Sequence, residues 1–311
     1  MNRLNLLVAL GLALAGCTAG APATQIPTAD LPTHQLSPLA TSVPTFLPTP
    51  RKTTAPTPNV TPTPIPPIPT ATLPALPENL TAHQAAGDLL PYLEYLPPGY
   101  ADDDSLRPLL IFLHGAGEYG DGSVEQLAKV LSLGIPTMIA NGSWPAEHPF
   151  VVLMPQYYFA PANGACDIGD ELERFIGHAL STYKVDANHV YLTGISCGAI
   201  GIYHYLSEER EYPIAAVVPI SGQPSYVMDK AGCELVRTPT WAFNGALDEI
   251  IPIDWLEEKM AELAACTDPP PTDLIFTVYP KGHHDADTWD VTYDLSAGHD
   301  IYTWMRIHRS N

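Results

Sequence analysis

From Leu90 onward, short β-rich or apolar runs alternate with longer stretches whose apolar residues recur three and four apart. That alternation is the signature of a mostly parallel sheet with helices on both faces, because each crossover between parallel strands lays a helix against the sheet. Strands are predicted at 108–114, 150–155, 189–194, 215–220, 239–244 and 274–279, and helices at 123–133, 168–183, 197–208 and 255–265. In such a sheet, ligand chemistry collects in the loops beyond the carboxyl ends of the strands.

The chain before this region cannot build a core, since 16 of its 34 prolines fall between Thr18 and Glu78. Proline lacks the donor and the φ range that ladders and helices need, so this stretch reads as an extended, semi-stiff spacer. Discounting the first 78 of 311 residues leaves 233, enough for one full α/β domain. The formal net charge of −20 would repel a phosphate backbone, so nucleic-acid binding is excluded as a function.

At the N-terminus, Arg3 precedes an apolar run at 4–15 that is too short to span a bilayer. Leu14-Ala15-Gly16-Cys17 follows it and resembles the bacterial lipobox, in which the cysteine sulfur accepts a diacylglycerol. The expected organisation is a lipoprotein signal peptide at 1–16, a lipid-anchored, disordered Pro/Thr-rich linker at 17–78 and a catalytic domain at 79–311. The expected location is the bacterial cell envelope, on the extracytoplasmic side of the membrane, held by lipidated Cys17.

The predicted strand at 189–194 runs into Gly194-Ile195-Ser196-Cys197-Gly198 and then a helical stretch. A serine at such a turn adopts strained dihedrals, and flanking glycines let two backbones approach, so Oγ projects above the sheet as a nucleophile. A serine hydroxyl needs a base, and the base needs an acid behind it, in the chain order Ser, Asp or Glu, His. Asp248 stands in the loop after the strand ending at Asn244, and Lys281-Gly282-His283-His284-Asp285 follows Tyr279. Two N–H donors for a developing oxyanion are expected from Cys197 and from Ala116, in the loop after the 108–114 strand.

Leu113-His114-Gly115-Ala116-Gly117-Glu118, the stretch 185–198, Asn244-Gly245-Ala246-Leu247-Asp248 and the stretch 277–293 together resemble the α/β-hydrolase superfamily of serine esterases. The likeness is to the secreted esterase and predicted-peptidase branch related to dienelactone hydrolases, feruloyl esterases and polyhydroxybutyrate depolymerases. It implies the α/β-hydrolase fold, a mostly parallel central sheet with helices on both faces, over roughly 90–308. It favours Asp248 over Glu249 as the acid, although Asn244 occupies a position where this branch commonly has His. For the base, counting from Tyr279 onto the family's Tyr-X-X-X-Gly-His pattern selects His284, whereas the glycine directly before the histidine selects His283. His284 is favoured and His283 is the alternative.

Tyr119 stands where the branch often has a basic residue, and with Tyr157 and Trp289 it is expected to contact substrate. Tyr157, Tyr158 and Phe159 are equally compatible with loop packing. Cys197 reads as a small packed residue rather than a second nucleophile. Cys233 lies six residues before Pro239 and Cys266 eight before Leu274, at the same edge of what should be neighbouring strands, so a Cys233–Cys266 bridge is expected. Residues 283–287 form a His-Asp cluster that a metal would suit, but no other His or Cys stands at ligand spacing, and no metal or cofactor is expected.

The function these features imply is hydrolysis of a small-molecule or polymer-linked carboxylic ester through an acyl-enzyme on Ser196. A serine peptidase on the same fold is the alternative, and a non-catalytic binding module a more distant one.

Overall fold

The computed structural model describes residues 76, 79–158 and 166–310. The signal peptide and nearly all of the linker, Cys17 included, lie outside the described residues, as does Phe159. No helix among the described residues is long and apolar enough to cross a membrane.

The described chain forms one eight-stranded sheet. Its strands are β1 (Thr81–His83), β2 (Tyr92–Tyr95), β3 (Arg107–Leu113), β4 (Val151–Pro155), β5 (Val185–Ile195), β6 (Ala216–Ile220), β7 (Thr240–Gly245) and β8 (Leu274–Tyr279). They lie in the order β1-β2-β4-β3-β5-β6-β7-β8, with β1 and β2 antiparallel to their neighbours and every other pair parallel. The helices are α1 (Val124–Leu127), α2 (Gly134–Asn141), α3 (Gly169–Thr182), α4 (Cys197–Leu206), α5 (Met228–Ala231), α6 (Ile253–Ala264), α7 (Ala286–Tyr293) and α8 (Ile301–Ile307).

The period-2 alternation of a strand divides the core into layers. On β3, Leu109, Ile111 and Leu113 pack with Leu172, Phe175 and Ile176 of α3, while Leu110 and Phe112 face Ile135 and Ile139 of α2, Tyr293 of α7 and Tyr302 of α8. A third cluster joins Tyr203 of α4 to Leu256, Met260 and Leu263 of α6. Helix α4 is buried almost all round, which accounts for its nearly unbroken apolar sequence.

The predicted strands recur within a residue or two of their expected bounds, except that β5 starts at Val185, where it pairs with Arg107 across a register shift. The helix predicted at 123–133 is α-helical only to Leu127 and continues as a 3-10 turn to Ser132. Helix α7 carries no strong apolar period and is rich in residues of poor helix propensity. Capping and packing stabilise it: the Asp285 side chain accepts the Asp287 N–H, and Trp289 and Tyr293 are buried.

A disulfide joins Cys233, in the 3-10 turn before β7, to Cys266, after α6, with the Cα atoms 5.6 Å apart. It closes a span of 33 residues at the amino-terminal edge of β7 and β8. In the Cys233→Ala/Cys266→Ala variant, urea unfolding should show a loss of about 2–4 kcal/mol, because the denatured chain regains the entropy of that loop. An unchanged urea midpoint would contradict this.

Candidate active site

Ser196 links β5 to α4 with φ 51° and ψ −116°, a conformation that costs a non-glycine residue about 1–3 kcal/mol and survives only where its surroundings over-determine it. Here they do. The Ser196 N–H donates to the Ile220 carbonyl of β6 at 2.9 Å, and the Ser196 carbonyl accepts the Ile200 N–H at 3.0 Å. A Cβ added to Gly198 would stand 2.1 Å from the Leu113 carbonyl oxygen, so only glycine lets α4 start this close to the end of β3.

The strained turn aims Oγ at His284, whose Nε2 lies 2.8 Å away. His284 Nδ1 lies 2.7 Å from Asp248 Oδ2. One neutral tautomer satisfies both contacts: Nδ1–H donates to the carboxylate, and Nε2 accepts the serine proton. The other Asp248 oxygen accepts the N–H groups of Ile250 and Ile251, at 2.9 and 2.7 Å. Burial works to raise the Asp248 pKa, but the bonds from His284 and these two amides together hold it below the usual carboxylate value.

The loops carrying Asp248 and His284 are joined by their backbones. The Leu247 N–H donates to the Gly282 carbonyl and the Ala246 N–H to the Tyr279 carbonyl, both at 2.9 Å. A Cβ on Gly245 would lie 2.2 Å from the Gly282 oxygen, so these loops can touch only where glycines meet. This accounts for the glycine that pointed in sequence to His283: Gly282 serves the approach to Gly245, whatever residue follows it. His283 is exposed, and its carbonyl accepts the Thr288 hydroxyl at 2.6 Å, tying the loop to α7.

Asn244, at the position where a histidine is common, spans the acid loop. Its Nδ2 donates to the carbonyls of Gly245 and Ile251, both at 3.1 Å, and so bridges the two ends of the segment that presents Asp248.

Ala116 opens a 3-10 turn directly after the Gly115 next to Ser196, and Cys197 is the first residue of α4. Neither first-turn N–H has an intrahelical acceptor, and the positive end of the α4 dipole adds to the field there. His114 holds the Ala116 loop from beneath. Its Nδ1 donates to the Gly115 carbonyl at 2.7 Å and its Nε2 accepts the Tyr157 N–H at 3.2 Å, which again specifies one neutral tautomer. Burial pushes the His114 pKa down to about 4, outweighing the opposing bond to Gly115.

Three expectations need correction. Tyr157 is only 2% exposed: its ring stacks on His114 at 3.9 Å and its hydroxyl donates to the His114 carbonyl, so it supports the loop and does not face substrate. Trp289 is likewise buried, and packs edge-on against the His284 ring at 5.2 Å. Cys197 is not simply a small packed residue. It forms a disulfide with Cys166, and the half-buried Tyr119 directs its hydroxyl at the Cys197 sulfur.

Several apolar side chains remain exposed at this end of the sheet, among them Tyr158, Tyr226, Leu247 and Ile250 on the loops and Trp255 in the first turn of α6. A cavity of about 700 Å³ opens at the opposite end, before β6 and β7; of the cations that line it, Arg210, Lys230 and Arg237 are paired with carboxylates.

No protein-family model and no curated protein sequence matches the chain. Solved structures do match its fold. A thermostable esterase aligns with a TM-score of 0.54 at 22% identity, over 75% of this chain and 64% of that one. The chain has the α/β-hydrolase fold. The protein TT1662 from Thermus thermophilus aligns with a TM-score of 0.51 at 15% identity, over 73% of this chain and 98% of that one. The chain thus spans less than two thirds of the length of the thermostable esterase. In this α/β-hydrolase fold, Ser196, Asp248 and His284 follow β5, β7 and β8 and meet above the carboxyl ends of the sheet.

The neutral His114 makes stability depend on pH. In the unfolded chain it takes up a proton as pH falls through about 6.5, whereas in the folded chain it does so only near 4. The unfolded state therefore binds more protons between those values, and about 3 kcal/mol of stability should be lost on acidification across that window. Urea unfolding at a series of pH values should show this slope in the native chain and a shallower one in His114→Gln. Equal slopes would contradict the assignment.

Proposed function

We propose that this protein is a serine hydrolase of carboxylic esters that works through an acyl-enzyme on Ser196 and is held on the outer side of a bacterial membrane by a lipid on Cys17. The observation that carries the catalytic part is the continuous relay from Ser196 Oγ through His284 to the buried Asp248, built on a serine whose backbone is strained.

The chemistry follows from that geometry. Ser196 Oγ attacks the ester carbonyl carbon while its proton passes to His284 Nε2, and the carbonyl oxygen takes the negative charge within reach of the Ala116 and Cys197 N–H groups. Asp248 holds Nδ1 protonated and stabilises the imidazolium. Collapse of the tetrahedral adduct breaks the bond to the alcohol oxygen, which leaves with the proton from Nε2. Water, deprotonated by the same nitrogen, then releases the acid and restores the serine. Trp289 against the His284 ring limits its rotation and keeps bulk water from that side. The exposed apolar side chains around the site favour esters of aromatic or other apolar groups over strongly charged ones.

Three variants test the relay. Ser196→Ala should lose about 10⁴- to 10⁶-fold in turnover of aryl esters while keeping its circular dichroism spectrum. His284→Ala should be nearly as impaired, and His283→Ala should lose tenfold or less. Retained activity in Ser196→Ala, or the reverse order of the two histidine variants, would sink the assignment. A parallel assay on amides of the same acyl groups separates ester from peptide specificity, and faster amide turnover would make the protein a peptidase.

The membrane part rests on Leu14-Ala15-Gly16-Cys17 and the proline-rich stretch that follows. Cys17→Ser should abolish incorporation of labelled lipid and move the protein out of the membrane fraction. A Cys17→Ser protein that still sediments with membranes would argue against the anchor.

A further inference from the structure

The two N–H groups that would face an oxyanion belong to separate segments, the 3-10 turn at Ala116–Glu118 and the start of α4. Within the turn, Ala116 and Gly117 are exposed and one backbone bond of 3.3 Å, from the Glu118 N–H to the Gly115 carbonyl, closes it; the buried Glu118 is anchored from outside, its carbonyl accepting Gln156 Nε2 at 2.8 Å and its carboxylate the Ser132 hydroxyl at 3.3 Å. Sulfur stands at the junction of the two segments. Tyr119, the residue after the turn, has its hydroxyl 2.6 Å from Cys197 Sγ and 4.0 Å from Cys166 Sγ. A disulfide sulfur carries no proton, so the hydroxyl donates. The Tyr119 ring also lies edge-on to His114 and Tyr157, the pair that supports Gly115, at 5.7 Å from each.

The disulfide fixes the other side of this contact. Cys166 has its Cα 5.0 Å from that of Cys197 and a positive φ of 69°. Its carbonyl and the Ile168 side chain rest on α4 where a Cβ on Gly201 would meet them at 3.1 and 2.9 Å. The sulfur of Cys197 is thus tied to the segment before α3, and the backbone N–H of the same residue is the donor beside Ser196.

We propose that the Cys166–Cys197 disulfide and the Tyr119 hydroxyl bound to it are positioning elements that hold the Ala116 and Cys197 N–H groups in register for the oxyanion. This rests on the hydrolase reading above and adds a condition to it: full activity requires this cysteine pair to be oxidised, a state that persists in the extracytoplasmic compartment and not in a reducing cytosol. The second disulfide, Cys233–Cys266, lies at the other end of the sheet and has no such role.

The test compares three variants of the full chain in detergent. For each, kcat and KM are measured on an aryl ester, together with the inhibition constant of a trifluoromethyl ketone, whose hemiketal oxyanion occupies the same site. Cys166→Ala/Cys197→Ala keeps the backbone N–H, and its kcat/KM should fall about 10- to 100-fold, part of what deleting one donor costs. Affinity for the ketone should fall by the same factor, with KM within threefold. Tyr119→Phe should shift both in the same direction, by less. Cys233→Ala/Cys266→Ala should lose stability but stay within twofold in kcat/KM.

If the first variant fails to fold, dithiothreitol applied to the native chain serves in its place. It passes two electrons and two protons to the Cys166–Cys197 bond, giving two thiols and the cyclic oxidised reagent, and alkylation mapping reports which pair has opened. Undiminished activity with Cys166 and Cys197 reduced, or an equal loss in Cys233→Ala/Cys266→Ala, overturns the proposal while leaving the hydrolase reading intact. A native chain that neither turns over the ester nor binds the ketone overturns both.

Discussion

The left-handed conformation at Ser196 is the constraint around which the rest of the site is arranged. A serine with φ 51° would relax if its neighbours allowed it. Three features prevent this: the bond to β6, the first turn of α4, and the contact of Gly198 with the end of β3. Strain and catalytic geometry therefore share one origin. The same close approach that makes glycine obligatory at position 198 brings the Ala116 loop beside the serine.

Little in the site depends on a single contact. Asp248 is held by its bonds to Ile250 and Ile251 and, through the bridge made by Asn244, at both ends of its loop. His284 lies between a loop zippered to the acid segment and the ring of Trp289. His114 and Tyr157 brace the glycine loop with bonds that require a neutral imidazole. A buried polar group is stabilising only when its partners are in place. The Asp248 carboxylate and both nitrogens of the His114 ring have theirs.

Six of the eight described strands were legible in the sequence as short apolar or β-rich runs set between helical stretches; the antiparallel β1 and β2, short and with no helix between them, were not. Ser196 and Asp248 were legible because each follows such a run. The choice between His283 and His284 was not, since the reason for Gly282 lies in Gly245, on a different loop. Tyr157 illustrates another limit: an aromatic residue after a strand suits a pocket as well as a core, and only its contacts with His114 decide which. The Cys166–Cys197 pairing was hidden because Cys197 sits inside the serine motif, where its neighbour accounts for the glycines and nothing local points to Cys166. Helix α7 was hidden because its stability comes from a cap and two buried rings rather than from a periodic apolar face.

The account as a whole depends on a covalent intermediate at Ser196. Rapid mixing of the native chain with a p-nitrophenyl ester, followed by an acid quench and peptide mass mapping, looks for that intermediate itself. The expected result is a burst of nitrophenol stoichiometric with the chain, and one peptide, containing Ser196, heavier by the mass of the acyl group. A burst with the acyl group on any other residue, or steady turnover with no acylated peptide when deacylation is slowed at low pH, would contradict it.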